Sequence, residues 1–146
     1  MRSWQIRLVS DSTPIVDQVR DALAAQEGIA FAVLFGSAAR GALRPSSDVD
    51  LAVRFAEGAR GQGWELGGII ATLEEALGRR VDLVDLETTS SAVLGMEIAR
   101  GVLVKGSTEE WVRLKVRAYR TWRDFGPRFR RMARAQAAVI ASQVQR

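Results

Sequence analysis

The spacing of hydrophobic positions predicts alternating helices and strands along most of the chain. Apolar residues recur every three or four positions in the expected helices, whereas the expected strands are short, mostly apolar runs. The predicted helices span residues 13–28, 64–77, 90–100 and 109–124, with a last one from 128 toward the end. The predicted strands span residues 29–35, 48–55, 80–86 and 102–105. The order α-β-β-α-β-α-β, followed by a helical extension, predicts an α/β (α+β) domain with a small mixed sheet flanked by helices.

Glycine and proline residues predict where some of these helices start and end. Thr13 and Pro14 are typical of an N-cap and a first helical position. Gly28 is expected to close the same helix. Near the C-terminus, Gly126-Pro127 is expected to break the helical segment in two, because proline lacks the backbone donor and clashes with the preceding turn.

The composition narrows the chemistry that is available. The chain has 146 residues, enough for one domain, and contains neither cysteine nor histidine. Disulfides, cysteine nucleophiles, histidine-dependent triads and histidine or cysteine metal sites are therefore excluded. Any acid–base or metal chemistry must rest on carboxylates, hydroxyls, lysine or arginine. No apolar stretch is long enough to span a bilayer, and the first residues lack the apolar segment of a secretory signal, so we expect a cytoplasmic protein.

The net charge of +4 is unevenly distributed along the chain. Residues 1–110 carry 11 Lys/Arg and 16 Asp/Glu, a balance of −5, whereas residues 111–146 carry 10 Lys/Arg and one acid, a balance of +9. A basic tail of this kind indicates an acidic partner, either a protein or a nucleic acid. We therefore expect a folded domain over residues 1–107 and a basic, partner-binding helical extension over residues 108–146.

The tail also contains an apolar stripe that has two interpretations. Five apolar residues lie three or four positions apart: Trp111, Leu114, Ala118, Trp122 and Phe125. A stripe with this spacing is typical of a helix packed on its own core. Its mixture with arginines is also typical of a protein interface. The sequence leaves both interpretations open.

Two aspartates stand at the start of an apolar strand, where a core-forming sequence would place aliphatic residues. Asp48 and Asp50 are two positions apart, so on a strand their side chains share one face, ~6.5 Å apart along the chain. Two carboxylates that face each other this way favour a divalent cation between them, and hard oxygen ligands suit Mg²⁺. A third carboxylate comes from the next strand, either Asp82 or Asp85, which lie on opposite faces. We favour Asp82, which is deeper in the strand, although an ion pair with Arg54, Arg79 or Arg80 is an alternative role for it.

The Gly36-Ser37 pair follows a buried strand and fits the same chemistry. Glycine allows a tight turn and a close approach of a ligand to the backbone. If a helical turn begins here, its free N–H groups would bind phosphates, and Arg40 would add a cation for the phosphate oxygens. Carboxylates around a metal pair, next to a phosphate-binding turn, are typical of phosphoryl or nucleotidyl transfer.

The arrangement of these residues resembles a known family. Gly36-Ser37, ten further residues and then Asp48-Val49-Asp50 resemble the signature of DNA polymerase β-like nucleotidyltransferases. The wider segments FGSAARG, SSDVDL, VDLVDL and IARGVLVKG resemble those of the minimal nucleotidyltransferases, and the similarity covers roughly residues 13–107. The resemblance implies two Mg²⁺ ions bound by the acids, with ATP as the substrate. It assigns the metal and catalytic roles to Asp48, Asp50 and Asp82, and nucleotide binding to Gly36 and Ser37.

The same resemblance implies a biological role. Many minimal nucleotidyltransferases are antitoxins that transfer AMP from ATP to a tyrosine of a HEPN-type ribonuclease toxin encoded nearby. We accordingly expect a hetero-oligomer with such a toxin, formed through the C-terminal helices, without a membrane and without nucleic acid as the direct substrate. One alternative is an antitoxin that acts by stoichiometric binding alone. Another is nucleotidyl transfer to a small molecule or an RNA end, although the tail has no recognised RNA-binding module.

Overall fold

The computed structural model describes residues 14–59 and 63–144. Four helices and four strands follow the predicted order. The helices are α1 (Pro14–Ala24), α2 (Gly63–Leu77), α3 (Ala92–Ala99) and α4 (Thr108–Val144). The strands are β1 (Ile29–Phe35), β2 (Val49–Phe55), β3 (Val81–Asp85) and β4 (Val102–Lys105). Thr13, the predicted N-cap of the first helix, lies outside the described residues.

The four strands form one mixed sheet in the order β3-β2-β1-β4. β1 is antiparallel to both β2 and β4, whereas β2 and β3 run parallel. Parallel neighbours need a crossover connection, and α2 lies in that connection. The predicted fold class, a small mixed sheet flanked by helices, is confirmed.

Helices cover both faces of the sheet and bury two apolar clusters. α1 and α2 pack on one face, where Val19, Leu23 and Leu73 are fully buried against the strands. α3 and the start of α4 pack on the other face through Ile98, with Trp111 and Leu114 at its edge. The first part of the tail stripe therefore does contact the core. The later part of α4 exposes large apolar side chains instead.

The first helix ends at Ala24, four residues before the predicted end at Gly28. The ammonium group of Lys105 donates hydrogen bonds to the carbonyls of Leu23, at 2.8 Å, and Gln26, at 2.7 Å. A cation at the end of a helix satisfies carbonyls that have no partner within the helix and interacts favourably with its dipole. A residue from β4, 82 positions away from Leu23, thus adds hydrogen bonds to the turn that ends α1, whose backbone bonds run from Gln26 N–H to the Leu23 carbonyl and from Ile29 N–H to the Gln26 carbonyl.

The predicted break at Gly126-Pro127 is wrong, since α4 is continuous over 37 residues with Pro127 inside it. Proline removes its own N–H bond, but the neighbouring hydrogen bonds of a helix can persist. Side chains from both sides of the proline also contact one another: the Phe129 ring lies 5.8 Å from that of Trp122 and 6.1 Å from that of Phe125, between centroids. At ~1.5 Å per residue the helix is about 55 Å long. Despite this length, no helix within the described residues is long and apolar enough to cross a membrane.

An ion pair fixes the start of α4 to the sheet. The Arg54 guanidinium of β2 donates to both carboxylate oxygens of Glu110, at 2.5 and 2.9 Å. This hydrogen-bonded pairing with Arg54 lowers the pKa of Glu110, more than partial burial raises it. Bidentate arginine–carboxylate pairs of this type are stronger than single hydrogen bonds and fix the orientation of the two groups as well as their distance. The inner half of α4 is therefore held rigidly on the domain.

Candidate active site

The sheet brings two of the predicted acids side by side. The parallel register of β2 and β3 pairs Asp50 directly with Asp82, and on its other side Asp50 pairs with Phe35 of β1. Directly paired residues on neighbouring strands lie about 4.8 Å apart and share a face. That face is the one covered by α3 and α4, and the position is the end of the sheet where β1 terminates. Asp48 is exposed just before β2.

Electrostatics link all three acids. The pKa of the Asp50 carboxyl is raised, first by its burial and then by the negative charges of Asp82 and Asp48. The positive charge of Arg40 acts in the opposite direction. A raised pKa means that the ionised form is disfavoured in the protein as it stands. A bound cation would remove that penalty, and this cluster of charges therefore points to one.

The acids fit a hard divalent cation by the chemistry of their donors. All three offer carboxylate oxygens, the ligands that Mg²⁺ prefers. Within residues 14–59 and 63–144, no three histidine, cysteine, aspartate or glutamate side chains are arranged closely enough to ligate an ion directly. The fit therefore rests on the shared face of Asp50 and Asp82 and on the mutual repulsion of the three acids, which a cation would relieve.

Asp85 lies apart from this cluster. It pairs in register with Val53, three positions along β2 from Asp50, and it points to the opposite face of the sheet from Asp82. Its carboxylate accepts a hydrogen bond from the N–H of Glu87 at 2.9 Å, and its carbonyl accepts one from the Thr89 hydroxyl at 2.9 Å. Asp85 thus organises the turn after β3. Of the two candidates for the third acid, the structure places Asp82 beside Asp50.

None of the three candidate arginines, Arg54, Arg79 and Arg80, forms an ion pair with Asp82 within residues 14–59 and 63–144. Arg54 is engaged by Glu110, and the Arg79 guanidinium donates to backbone carbonyls of the loop before β2. Among the described residues, no ion pair to Asp82 is found. The interpretation of Asp82 as a purely structural ion-pair partner therefore has no support in the fold.

Gly36 allows the turn after β1 to approach the Asp50 carboxylate. Its φ is +71°, in the left-handed region that favours glycine. A Cβ atom built at this position would lie 2.5 Å from Oδ2 of Asp50. Any other residue would have to displace that carboxylate. The glycine of the predicted motif is thus required by both backbone conformation and space.

A single helical turn follows Gly36, as expected. The Arg40 N–H donates to the Gly36 carbonyl at 3.3 Å, and the Ala42 N–H donates to the Ser37 carbonyl at 2.9 Å. Gly41, at φ +69°, closes the turn in the manner of a Schellman motif. The first N–H groups of such a turn have no partner within it. These N–H groups begin at Ser37, next to the acids, and could donate hydrogen bonds to phosphate oxygens bound there.

Arg40 stands beside the acids and is held by a residue that the sequence did not indicate. Its guanidinium donates to Oε2 of Glu97 at 3.1 Å, and its side chain is 61% exposed. Glu97 belongs to α3 and also lies 3.9 Å from the guanidinium of Arg100. No local pattern points to Glu97, because its role depends on how α3 packs over the sheet.

A cavity of about 600 Å³ lies elsewhere, between α3, α4 and the far end of the sheet. Arg54, Glu110 and Arg117 are among its lining residues, and none of the predicted site residues lines it. The acids and the Gly36 turn instead stand at the opposite end of β2 from Arg54. The predicted site therefore lies outside this cavity, at the end of the sheet where β1 terminates.

Comparison with protein families agrees with this geometry. The family "Polymerase beta, Nucleotidyltransferase" matches residues 17–110, well over half of the chain. The chain belongs to this family. The matched residues include the Gly36 turn, Asp48, Asp50 and Asp82, so the family model covers all three predicted acids and the turn beside them. The protein is accordingly a nucleotidyltransferase. No curated protein is significantly similar to it in sequence.

Solved structures share the fold of this nucleotidyltransferase over almost its whole length. One chain, from the crystal structure of a toxin–antitoxin with AMP-PNP, is 25% identical with a TM-score of 0.57, and the alignment covers 90% of this chain and 98% of that one. A chain of the toxin–antitoxin MntA-HepT is 21% identical with a TM-score of 0.53, covering 90% and 97%. A protein from Shewanella oneidensis is 23% identical with a TM-score of 0.51, covering 92% and 99%. The last two likenesses concern the fold alone.

Because the three acids repel one another, we expect that removing one charge raises the stability of the metal-free protein but weakens its metal binding. With metal removed by EDTA, Asp50→Asn should raise the melting temperature by about 2–4 °C, the shift that about 1 kcal/mol produces in a domain of this size, because the amide carries no charge beside Asp82 and Asp48. Excess Mg²⁺ should raise the melting temperature of the wild-type protein more than that of the variant. Thermal unfolding followed by circular dichroism measures both. A variant that is less stable than the wild type in EDTA would contradict the assigned repulsion.

Proposed function

We propose that this nucleotidyltransferase transfers AMP from ATP to a tyrosine hydroxyl of a HEPN-type toxin and thereby acts as its antitoxin. The observation that carries the proposal is the pairing of Asp50 with Asp82 beside the close approach of Gly36. This arrangement suits nucleotidyl transfer, the activity of the family that the chain belongs to. Similarity to a chain of a toxin–antitoxin with AMP-PNP supports both the nucleotide and the kind of partner. ATP and an intracellular toxin as substrates would make the cytoplasm the site of the reaction.

Each predicted site residue would have a separate role in the proposed AMP transfer. Asp48, Asp50 and Asp82 would hold two Mg²⁺ ions, which supply charge stabilisation for the attacking and leaving oxygens of an in-line displacement. The N–H groups of the turn from Ser37, its hydroxyl and the Arg40 guanidinium would hold the phosphates of ATP. The tyrosine oxygen would form a bond to the α-phosphorus as the bond to pyrophosphate breaks. A carboxylate oxygen, which we assign to Asp82, would accept the tyrosine proton.

The C-terminal half of α4 would bind the partner. Beyond the core contacts of Trp111 and Leu114, the described chain offers this half of the helix nothing to pack against, and it exposes 65% of Met132 and 55% of Val139. Five arginines and one acid lie between residues 122 and 144. A second copy of the same helix would bring like charges together, whereas an acidic partner helix would not. The apolar seam of this half of α4, formed by Trp122, Phe125, Phe129, Met132 and Val139, therefore favours a different protein over self-association.

The exposed seam also supports a second candidate function, neutralisation by binding alone. A helix that wraps a toxin could block its active site without any chemistry. The two functions differ in whether Asp48 and Asp50 are needed for protection against the toxin.

The direct test follows the label from ATP. The purified chain, Mg²⁺ and the protein encoded by the neighbouring gene are incubated with ATP labelled at its α-phosphate. We expect label on a tyrosine of the partner and release of unlabelled pyrophosphate, found by gel autoradiography and tryptic mass spectrometry. Label placed on RNA ends instead would overturn the proposed acceptor. A tight complex without any label would establish the binding function.

A further inference from the structure

The loop that carries Asp48 is fixed by a network that lies outside the family motif. Residues 44–47 form a tight turn in which the Arg44 N–H donates to the Ser47 hydroxyl at 3.0 Å and the Ser47 N–H donates to the Arg44 carbonyl at 2.9 Å. The next residue is Asp48, which is exposed and precedes the sheet. The position of this acid is therefore set by the loop and not by strand pairing.

Arg79 holds this turn from another part of the chain. Its guanidinium donates to the Arg44 carbonyl at 2.6 Å and lies 3.4 Å from the Pro45 carbonyl. The loop and Arg79 are 35 residues apart in sequence. A hydrogen bond from a charged donor to a carbonyl is stronger than one from a neutral donor. The side chain is only partly exposed.

The junction between α2 and β3 fixes both acid-bearing segments at once. The Arg80 carbonyl accepts a hydrogen bond from the Val49 N–H, between Asp48 and Asp50, at 2.8 Å. Glu74, from the last turns of α2, accepts one from the N–H of Val81 at 3.0 Å, immediately before Asp82. The Val49–Arg80 backbone bond and the Glu74 carboxylate thus position the two strands, while the Arg79 side chain holds the loop that precedes Asp48.

We propose that Arg79 is a positioning residue, which sets the place of the Asp48 carboxylate relative to Asp50 and Asp82 and so the metal affinity of the site. The inference rests on the proposed nucleotidyl transfer at these acids. Outer contacts that orient metal ligands typically affect metal affinity or activity by about 10–100-fold when they are lost. Arg79 touches neither the nucleotide nor the acceptor in this arrangement, so its effect should act through the metal.

Arg80 supplies a matched control. It is the next residue, carries the same charge and is exposed, and its contribution to the sheet comes from its carbonyl, which any substitution retains. Arg79→Ala and Arg80→Ala therefore remove equal charge from adjacent positions. Arg79→Lys keeps a cation that can donate to the loop carbonyls and serves as the conservative rescue.

Metal binding is measured without turnover, by the loss of the free Mn²⁺ signal in electron paramagnetic resonance as protein is added. We expect Arg79→Ala to bind Mn²⁺ about tenfold more weakly than wild type, Arg80→Ala to match wild type, and Arg79→Lys to recover most of the loss. In transfer assays, Arg79→Ala should raise the Mg²⁺ concentration needed for half-maximal rate, with little change in KM for ATP at saturating metal. Circular dichroism confirms that each variant is folded.

The results separate this inference from the proposed function. If the wild-type chain binds Mn²⁺ but transfers no AMP, the proposed function fails, whereas the role of Arg79 in metal binding still stands or falls on the Mn²⁺ data. If wild type is active and both alanine variants bind Mn²⁺ equally, the positioning role is overturned. Equal weakening by Arg79→Ala and Arg80→Ala would also overturn it, because that result reflects surface charge and not the loop. If Arg79→Ala does not fold, the comparison is made between Arg79→Lys and Arg79→Gln. Equal Mn²⁺ affinity of these two variants would overturn the positioning role of Arg79.

Discussion

Replacing both Asp48 and Asp50 with asparagine is expected to lower the rate of AMP transfer by about a thousandfold or more while the protein stays folded. Metal ions contribute several kcal/mol to the stabilisation of a phosphoryl transition state, and each 1.4 kcal/mol corresponds to a tenfold change in rate. Asparagine keeps the size of each side chain but removes the charge that binds the cation. The measurement is the initial rate of labelled AMP transfer at saturating ATP and Mg²⁺.

The third acid is tested by a matched pair on one strand. Asp82→Asn should lose most of the activity, because Asp82 lies beside Asp50 in the register of β2 and β3. Asp85→Asn should retain it within a few-fold, since its side chain accepts an N–H bond from Glu87, a role that an asparagine oxygen can keep. The opposite pattern would move the site to the other face of the sheet. Full activity in the Asp48, Asp50 double variant would remove the site assignment altogether.

The same double variant decides between the two proposed modes of neutralisation. A catalytic antitoxin loses protection together with transfer, because the unmodified toxin remains active. A binding antitoxin protects fully, since the exposed seam of α4 is unchanged by substitutions at the sheet edge. Toxin activity on RNA, assayed with equal amounts of wild-type and variant protein, therefore separates the modes in one experiment.

The elements that the sequence predicted well are those with strong local signals. The run 29–35 became β1 and 102–105 became β4 without change of bounds. Gly36 was placed correctly in a tight turn, because a glycine after a buried strand has a local conformational reason to be there. The spacing of Asp48 and Asp50 predicted that both lie on one face of a strand, but β2 begins at Val49 and Asp48 lies in the loop before it.

Features that depend on distant contacts were not predictable in this way. Lys105 of β4 bonds the turn that ends α1, and Arg79, from the junction between α2 and β3, bonds the loop before Asp48. Each partner is an unremarkable basic residue in its own segment. The continuity of α4 through Pro127 had a weak local signal, the aromatic residues that flank it, but the general rule for proline outweighs such contacts until they are seen.

The seam of α4 gives the outer half of the helix a specific geometry. Trp122, Phe125, Phe129 and Met132 are spaced by three, four and three residues, and Val139 continues the same register seven positions later. Alternating spacings of three and four average to 3.5, the period at which a helix packs along a second helix. Arg54 and Glu110 anchor the inner end of α4 on the sheet, so the outer half would present this seam at a defined orientation relative to the acids. A partner helix bound there could place its own domain, and its tyrosine, at the sheet edge.

Introducing two acids into the seam should therefore separate partner binding from catalysis. Phe129→Asp with Met132→Asp is expected to weaken the complex by at least about a hundredfold, because buried apolar anchors of an interface typically contribute about 2–4 kcal/mol each. The measurement is affinity by calorimetry. Mn²⁺ binding should be unchanged, since these positions lie beyond the part of α4 that packs on the domain. Arg134→Ala is the control. It lowers the net charge by one, as each of the two Asp substitutions does, but Arg134 lies outside the seam. If the control weakened binding as much as the double variant, charge attraction and not the apolar seam would hold the partner.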